Sequence, residues 1–566
     1  MQLRNRTLLS FVSGLLLLSV PPLRTAAQSV TATVSIPGQP SAVAVNPSTD
    51  QIYVVDTTTG ASYNPFTQKW SPWITTNATA INGGSNSAAT LWGSQSYYFL
   101  GGYSGRWGSA VVNPITNQTY AVSAGWGNVV VIDDATNAVT STSASSVWAV
   151  ALNLTTNKIY GTYNSNNSPG GPQYGFTVID GASNAVTTVS VSGIVNPCAV
   201  DVNPVTNKVY VANNGSANVT VIDGASNTFT NVPVGNSPVA VAVNPLTNQV
   251  YVVNNTSNGT VTVIDGATNA TTSVPVGDSP AAVAINPVTN QIYVANNGSN
   301  NITVIDGATN ATTTLKDQSA LGPAGVAVDA MSNQIYVTNS GSATVTVIDG
   351  TTNALTTVTL PNASGTGPIA LNPLTNTVYV GNGASNNVSV IAGIAGSGPP
   401  DFALGATPAS LTVPAGGQAT DTIVVGPPYG NVVDLSCSVA GPSPTPACDL
   451  SLSSIAPGPT YGTATLTITA PTPAAMLAPS YRPRLGLYAA WLPLLFGIAI
   501  WGRPNKRRAL LSAGFLLLFL VVLASCGGNS QTQNQTTQTP PQTYTVTVTG
   551  TSGPIQHTAQ ITVTVQ

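Results

Sequence analysis

The chain has 566 residues and a net charge of −3, and only 5% of its residues are charged, against roughly 25% in ordinary soluble domains. All its acidic residues are Asp, and residues 29–393 carry only five cations: Lys69, Arg106, Lys158, Lys208 and Lys316. This balance excludes the electrostatic footprint of a nucleic-acid partner. The length predicts several domains, and the abundance of Thr, Asn, Val and Gly favours strands and turns over long soluble helices.

The first 27 residues predict a secretory signal peptide. Arg4 and Arg6 precede an apolar run, and Thr25-Ala26-Ala27 supplies small residues for cleavage before Gln28. The alternative is an uncleaved membrane anchor. Either interpretation predicts an exported protein.

A unit of about 42 residues recurs from residue 29 to residue 393. In 238–279 it reads as four strands, PVAVAV, QVYVV, TVTVI and TTSVPV, separated by NPLTN, a polar turn and Asp265-Gly266. Pro275 lacks a backbone donor, so the fourth strand belongs at a sheet edge. Four antiparallel strands in this length are typical of one β-propeller blade, which must stack on neighbours to bury its faces.

One tyrosine marks each repeat, and the last four intervals between these tyrosines are 41, 42, 43 and 43 residues. Six copies also carry Ile-Asp before a hairpin, which we interpret as turn formation. The tyrosines are Tyr53, Tyr120, Tyr160, Tyr210, Tyr251, Tyr293, Tyr336 and Tyr379, and the aspartates are Asp133, Asp180, Asp223, Asp265, Asp306 and Asp349.

The repeats NPVTNKVYVANNGSANVTVIDGASN (203–227) and NPVTNQIYVANNGSNNITVIDGATN (286–310) resemble the YVTN-type β-propeller family of exported, surface-layer-like proteins. The resemblance covers about residues 30–393 and implies a fold rather than a function. We therefore expect an all-β protein with a closed propeller of eight blades, or seven if the degenerate first copy is not one. SVTATVSIPG (29–38) resembles a fourth strand, which the last repeat lacks, so it is expected to complete the last blade and close the ring.

The repeat pattern breaks between Tyr53 and Tyr120, where about 25 extra residues are inserted. Exposed aromatic side chains on a rigid scaffold stack on sugars or anchor a protein partner. The alternative is that they fill core space in degenerate blades. The candidate ligand-binding residues are Trp70, Trp73, Trp92, Trp107, Tyr97 and Tyr98.

A Gly/Pro linker at 394–402 precedes a predicted β-sandwich at 403–475. LSCSV (435–439) and CDLSLSS (448–454) resemble the Ig-like domains of exported Acidobacteria-type proteins. Cys437 and Cys448 are expected to form a disulfide in an oxidising compartment. The alternative role for these two cysteines is metal binding, but no further Cys or nearby His is available to complete such a site.

Residues 485–525 predict a transmembrane helical hairpin. Two uncharged runs, 485–502 and 509–525, flank the cationic RPNKRR, which is expected to stay cytoplasmic while the propeller lies outside. The alternative is one span plus a buried helix.

Cys526 follows Leu523-Ala524-Ser525, as in a lipoprotein attachment box, although such boxes normally end an N-terminal signal. Lipidation and a free thiol are both open. A polar linker (527–542) leads to a β-hairpin at 543–566, which we hypothesise completes the Ig-like domain.

Ordinary catalytic sets are missing from the propeller repeats. The chain has one histidine, His557, in the tail, and no glutamate, so neither a His-based triad nor a Glu pair can form there. Asp201 and Asp329 replace the usual Ala or Asn near the inner strand; a cation site there is the alternative to a structural role. No catalytic residue, metal or cofactor is predicted.

These features predict a non-enzymatic, membrane-anchored propeller on the extracytoplasmic side, in the periplasm or at the cell surface. It would bind an envelope glycan or protein, or act as a scaffold. The alternative is a propeller hydrolase similar to lactonases, which would require titratable groups to converge at one channel mouth.

Overall fold

The computed structural model describes residues 28–64, 69–97, 109–122, 128–144, 146–165, 171–393, 402–426, 431–456, 461–472 and 541–566. The described chain is all-β, with 41 strands. Eight four-stranded antiparallel sheets span residues 29–392, and two further sheets span residues 403–565.

Each of the eight sheets is one blade, whose strands run from the centre of the ring outwards in chain order. The first four blades are β2 (Gln39–Asn46), β3 (Gln51–Asn64), β4 (Lys69–Asn82), β5 (Ser87–Tyr97); β6 (Ala110–Asn113), β7 (Gln118–Val122), β8 (Val129–Asp133), β9 (Val139–Ser141); β10 (Val147–Asn153), β11 (Lys158–Ser165), β12 (Gln173–Asp180), β13 (Val186–Ser190); and β14 (Pro197–Asn203), β15 (Lys208–Asn213), β16 (Asn218–Asp223), β17 (Phe229–Pro233).

The remaining blades repeat this order, except that the last one takes its outer strand from the N-terminal part of the chain. They are β18 (Pro238–Asn244), β19 (Gln249–Asn254), β20 (Thr260–Asp265), β21 (Thr271–Pro275); β22 (Pro280–Asn286), β23 (Gln291–Asn296), β24 (Asn301–Asp306), β25 (Thr312–Leu315); β26 (Pro323–Asp329), β27 (Gln334–Asn339), β28 (Thr344–Asp349), β29 (Leu355–Thr359); and β30 (Thr366–Asn372), β31 (Thr377–Asn382), β32 (Asn387–Ala392), β1 (Ser29–Ser35).

The innermost strands contact one another in sequence, and β2 of blade 1 contacts β30 of blade 8. The sheets therefore form a closed ring, as expected of a β-propeller with eight blades rather than seven. Strand β1 pairs antiparallel with β32, with Ser29 opposite Ala392 and Ser35 opposite Asn387. The prediction that the N-terminal strand completes the last blade is confirmed, and it removes an open sheet edge.

The repeated tyrosines fill the spaces between blades. Each is almost fully buried and packs against apolar side chains of the following blade. Tyr210, for example, lies in one cluster with Val250 and Ile264, and Tyr379 closes the ring by packing against Ile52 and Ile81. Burial, together with the Asp306 carboxylate of the next blade, raises the pKa of Tyr251 to about 12.

The repeated aspartates form the turns that follow the third strand of each blade. In blade 5, Asp265 Oδ1 accepts hydrogen bonds from the backbone N–H of Ala267 and Thr268 and from the Thr268 hydroxyl. Asn269, four residues on, adopts a φ of 61°, which Asn tolerates better than most residues. The same bonds recur at Asp133 and Asp349, in agreement with the turn-forming interpretation.

A belt of amide hydrogen bonds joins neighbouring blades. The Asn that ends an innermost strand donates through Nδ2 to a side-chain oxygen in the first turn of the next blade. Seven of the eight blade junctions have this bond: Asn46–Asn117 (3.0 Å), Asn113–Asn157 (2.6 Å), Asn153–Asn207 (2.7 Å), Asn203–Asn248 (2.9 Å), Asn244–Asn290 (2.8 Å), Asn286–Asn333 (2.7 Å) and Asn372–Asp50 (2.7 Å).

Residues 403–565 form a sandwich of two sheets. Their orders are β33-β35-β39-β37 and β34-β41-β40-β36-β38. The strands are β33 (Ala403–Thr407), β34 (Ser410–Val413), β35 (Gln418–Gly426), β36 (Val433–Ala440), β37 (Ala447–Leu450), β38 (Ser454–Ile455), β39 (Gly462–Thr469), β40 (Gln542–Ser552) and β41 (Ile555–Val565).

The C-terminal hairpin β40–β41 is an integral part of this sandwich. Strand β40 pairs with β36, and β41 pairs in parallel with β34. Tyr544 and Ile561 from the hairpin share one buried core with Phe402 and Leu466. The sandwich is therefore assembled from two stretches of chain, 402–472 and 541–566, as hypothesised for this tail.

A disulfide joins the two sheets of the sandwich. The sulfurs of Cys437 on β36 and Cys448 on β37 lie 2.17 Å apart, and their Cα atoms lie 6.3 Å apart. Within the described residues no helix is long and apolar enough to cross a membrane. The predicted hairpin at 485–525, the signal at 1–27, Cys526 and most of both linkers lie outside the described residues.

Candidate functional site: the open face of the ring

The ring has two chemically distinct faces. Because the strands of each blade alternate in direction, the turns after its first and third strands lie at one face, and the turns after its second and fourth strands lie at the other. The turn that contains Leu246 belongs to the first set, and the turn that contains Ser257 belongs to the second. We call these the sandwich face and the open face.

The sandwich packs on the first set of turns. Leu246 of blade 5 is buried against Ala403 and Val424, next to Val205 and Val288 of the adjacent blades. Strand β33 approaches so closely that a Cβ on Gly405 would overlap the Leu246 carbonyl. This glycine is therefore required by close backbone packing between the two domains.

An acidic residue of the ring lies close to this domain contact. Asp201 on β14 accepts hydrogen bonds from the N–H of Val202 and from the N–H of Val243 on the next blade, both at 2.8 Å. Its carboxylate is shielded from solvent although the residue as a whole is partly buried. Desolvation raises the pKa of Asp201 to about 6. Burial and the Asp201 charge together raise the pKa of Tyr461, a sandwich residue.

The open face carries an extension that grows out of blade 1. Strands β3 and β4 continue beyond the common blade length and pair from Gln51–Asn82 to Asn64–Lys69. Strand β5 follows them as far as the Trp73–Tyr97 pair. The extension begins at Asp56, which is fully buried and accepts hydrogen bonds from Asn77 Nδ2 (2.7 Å) and Thr79 Oγ1 (2.8 Å). Burial raises the pKa of Asp56.

Three of the six predicted ligand-binding residues, Trp70, Trp73 and Tyr97, belong to this extension, and Trp92 lies at its base, one residue pair on the ring side of Asp56. Trp70 and Trp73 lie on β4, and Trp92 and Tyr97 lie on β5. The backbone register places Trp73 directly opposite Tyr97 and Trp92 opposite Ala78. Their backbones therefore share one three-stranded sheet. The other two candidates, Tyr98 and Trp107, lie outside the described residues.

Blade 3 adds described aromatic residues near the same face. Trp148, on the innermost strand, donates from Nε1 to the Asn164 carbonyl (3.4 Å), and Tyr174 lies opposite Asn164 on the neighbouring strand. A groove of about 430 Å³ runs between blades 3 and 4, lined by residues that include Tyr174, Ile194 and Phe229. Phe229, which is 37% exposed, begins β17 after the turn that follows β16, so the groove extends along the outer edge of the ring towards the sandwich face.

The remaining acidic candidates are separated and bound to the backbone. Asp329 is 2% exposed and accepts from the N–H of Met331 and Ser332 in its own turn, whereas Asp133 lies in an exposed turn of blade 2. Across the described parts of the chain, no group of three or more His, Cys, Asp or Glu side chains could hold a metal ion. Arg106 lies outside them.

Sequence reasoning located the aromatic insertion but missed three features of the surface. The groove beside Tyr174 requires knowledge of which blades adjoin. The Asp201–Tyr461 proximity depends on how the two domains dock. The amide belt was visible in the sequence as an Asn before Pro and another Asn closing NPxTN, but only the ring geometry shows that these residues belong to different blades.

The chain matches no protein-family model and no curated protein. Among solved structures it is similar to a hydrazine synthase chain of Kuenenia stuttgartiensis, with 19% sequence identity and a TM-score of 0.42. The match covers 50% of this chain and 94% of that chain. At this level of likeness we draw no functional conclusion from the comparison.

Proposed function

We propose that the protein is an exported, membrane-anchored propeller of the YVTN type, with an Ig-like C-terminal domain, that binds an envelope glycan or protein through the open face. The observation that carries this proposal is the extension of blade 1. It concentrates aromatic residues on one three-stranded sheet, at the face that the sandwich leaves uncovered.

Aromatic rings suit this role because they bring a large apolar area at a small cost in side-chain entropy, and they stack on the apolar faces of sugars. Residues 29–393 carry 13 Asp but only 5 Lys and Arg, so the ring offers few cations to an anionic partner, and shape and stacking determine the recognition of a neutral glycan. All six tryptophans of the propeller belong to blades 1 to 3 or to the segments that join them. This asymmetry supports recognition by one sector of an otherwise regular ring.

The test starts with the full exported chain in detergent, screened on a glycan array and against envelope extract. A hit is then titrated by calorimetry with wild type, Trp70→Ala and Trp73→Ala. We expect at least a tenfold loss of affinity for one alanine variant, in the range of about 1–3 kcal/mol per stacked ring.

Two control variants sharpen this experiment. Trp73→Phe keeps an aromatic face and is expected to retain most of the affinity. Leu374→Ala changes a side chain that is 68% exposed on the sandwich face and is expected to leave binding unchanged. Equal affinity in wild type and both alanine variants would favour the alternative that these aromatics fill the core of degenerate blades.

A further inference from the structure

The described strands show where the chain leaves the folded domains on its way to the predicted membrane segment. Strand β39 ends at Thr469, and β40 begins at Gln542. Between the last described residue of one stretch and the first of the next lie residues 473–540, which contain both uncharged apolar runs. The positions of these two ends limit how the domains can be placed against a bilayer.

Both ends meet at one turn of the sandwich, residues 414–417. The N–H of Gly416 donates to the Pro471 carbonyl (2.9 Å), and the N–H of Ala415 donates to the Gln566 carbonyl (2.8 Å). Gln542 pairs with Val565, the neighbour of Gln566. The inserted segment therefore leaves and re-enters the sandwich at the same end, which we call the junction end.

The junction end lies away from the ring. The sandwich meets the ring through the stretch around Ala403 and Gly405 and through Tyr461. Strand β35 runs from Gly426, which is paired with Ala403, to Gln418 at the junction end. Gln418 lies four residues beyond Thr422, the partner of Thr407, which is roughly 13 Å at the rise of a strand.

The segments at the tip of the junction end also lack charged side chains. Its described segments are 414–418, 441–446, 470–472 and 541–543, and none of them contains Asp, Glu, Lys, Arg or His. Asp449 is exposed two residues further along β37 from Ala447, the partner of Thr469, and Asp434 and His557 lie towards the opposite ends of their strands. A surface without charged side chains approaches the headgroup region without the cost of desolvating a charge.

The N-terminal connection leaves the ring on the same side. Ser29 pairs with Ala392, and the N–H of Gly393, the next residue, donates to the carbonyl of Asn376 in a sandwich-face turn. Gln28 is held there by a hydrogen bond to the Tyr336 hydroxyl (3.2 Å). If residues 1–27 are retained as an anchor, that anchor also emerges at the sandwich face.

We infer that the junction end of the sandwich is the surface that faces the lipid bilayer, so that the open face with its aromatic extension points away from the membrane. This inference rests on the proposed membrane anchoring. It deepens the proposed function because it makes the binding face accessible to partners beyond the membrane surface.

The experiment uses the full chain with Cys198→Ser and Cys526→Ser, reconstituted into vesicles of phosphatidylcholine and phosphatidylglycerol. A donor dye is attached to one introduced cysteine, and headgroup-labelled acceptor lipid quenches it. The three positions are Gln566→Cys at the junction end, Leu374→Cys on the sandwich face and Ser257→Cys on the open face. All three residues are exposed.

We expect quenching to be strongest at position 566, weaker at 374 and several-fold weaker at 257. A second sandwich-face label is placed at Ile115, which is 53% exposed on blade 2. Comparison of positions 115 and 374 shows whether the ring is tilted relative to the bilayer. If the protein floats with the vesicles but position 257 is quenched as strongly as 374 and 115, the orientation is wrong while the anchoring stands. Flotation is measured on the chain with Cys526 intact as well, and if neither form floats with the vesicles, the anchoring and the orientation both fail.

Discussion

At the scale of single residues, one side-chain amide at the end of each innermost strand joins that blade to the next. The junction between blades 7 and 8 lacks this bond because Asp329 stands where the other blades have Asn. A carboxylate cannot donate, and within the described structure the buried Asn376 Oδ1 finds no hydrogen bond partner. An unmatched buried acceptor of this kind costs about 1–3 kcal/mol.

Asp329→Asn is therefore expected to stabilise the ring. The amide keeps an oxygen for the N–H groups of its own turn, as Asn286 does. Its nitrogen replaces the oxygen that accepts from the Ser332 hydroxyl (2.6 Å) and adds a donor for Asn376, while the Ser332 hydroxyl is left to reorient. We expect a rise in the thermal unfolding midpoint that corresponds to about 1 kcal/mol, measured by calorimetry. The matched variant Asn286→Asp breaks an existing bond and should lower the midpoint. A lower midpoint for Asp329→Asn, or an unchanged or higher midpoint for Asn286→Asp, would contradict the belt as a stabilising element.

Because Asp421 is buried in the sandwich, we expect it to lower the free energy of unfolding as the pH rises. A carboxylate with a depressed pKa has the opposite effect. It is 3% exposed, its Oδ2 lacks a hydrogen bond partner among the described residues, and burial raises its pKa to about 7. Because the folded pKa exceeds the unfolded value of about 3.9, the folded state binds the proton more tightly. The contribution of protonated Asp421 to the free energy of unfolding is therefore complete below pH 4, and it is lost as the pH rises to about 7.

Asp421→Asn is accordingly expected to be more stable than wild type above pH 7, by a few kcal/mol at about 1.4 kcal/mol per pKa unit, with the difference shrinking towards pH 4. The difference in the free energy of unfolding is measured by urea titration at several pH values, with hydrogen exchange of the β35 amides as the probe of the sandwich. Asp434→Asn, at an exposed position, serves as the control and should change little. A pH-independent difference between Asp421→Asn and wild type would rule out titration of this carboxyl group.

At the scale of elements, sequence periodicity was sufficient to predict the four-strand blade and the strand that closes the ring. The repeats are similar enough that the Tyr marks the same position in all eight blades, and the Ile-Asp and NPxTN groups mark the same positions in the blades that carry them. The spacing between Tyr53 and Tyr120 predicted the position and size of the insertion, but it did not predict that the insertion forms longer strands. Three strands of blade 1 simply continue past Asp56, because alternating Thr, Ser and aromatic residues suit further pairing as well as they suit a loop.

This extension is expected to be separable from the blade that carries it. The inter-blade contacts of blade 1 involve Tyr53, Ile52 and Ile81, and the amide belt uses Asn46. All lie on the ring side of the Thr58–Thr75 pair. Replacing residues 59–74 by Asn-Gly, a two-residue turn suited to a hairpin, should leave the unfolding midpoint within a few degrees of wild type. A collapse of the midpoint would mean that the extension stabilises the ring.

At the scale of the whole molecule, the two domains divide the two faces of the ring between them. The sandwich covers turns of blades 4 to 6 on one face, and its two chain segments meet at an end that lies away from the ring. The extension rises from blade 1 on the opposite face. The sequence indicated each part but not this division, because domain docking depends on single close contacts such as Gly405 against Leu246, which leave no periodic signal.

Binding of the ligand by the open-face extension is tested most directly by comparing wild type with the variant in which residues 59–74 are replaced by Asn-Gly. Ligand capture is measured for both proteins as full chains in vesicles. The probe is the glycan or envelope fraction that wild type retains. We expect the variant to keep its unfolding midpoint and its flotation with vesicles but to lose ligand capture. Undiminished capture by the folded variant would contradict the open-face extension as the binding element.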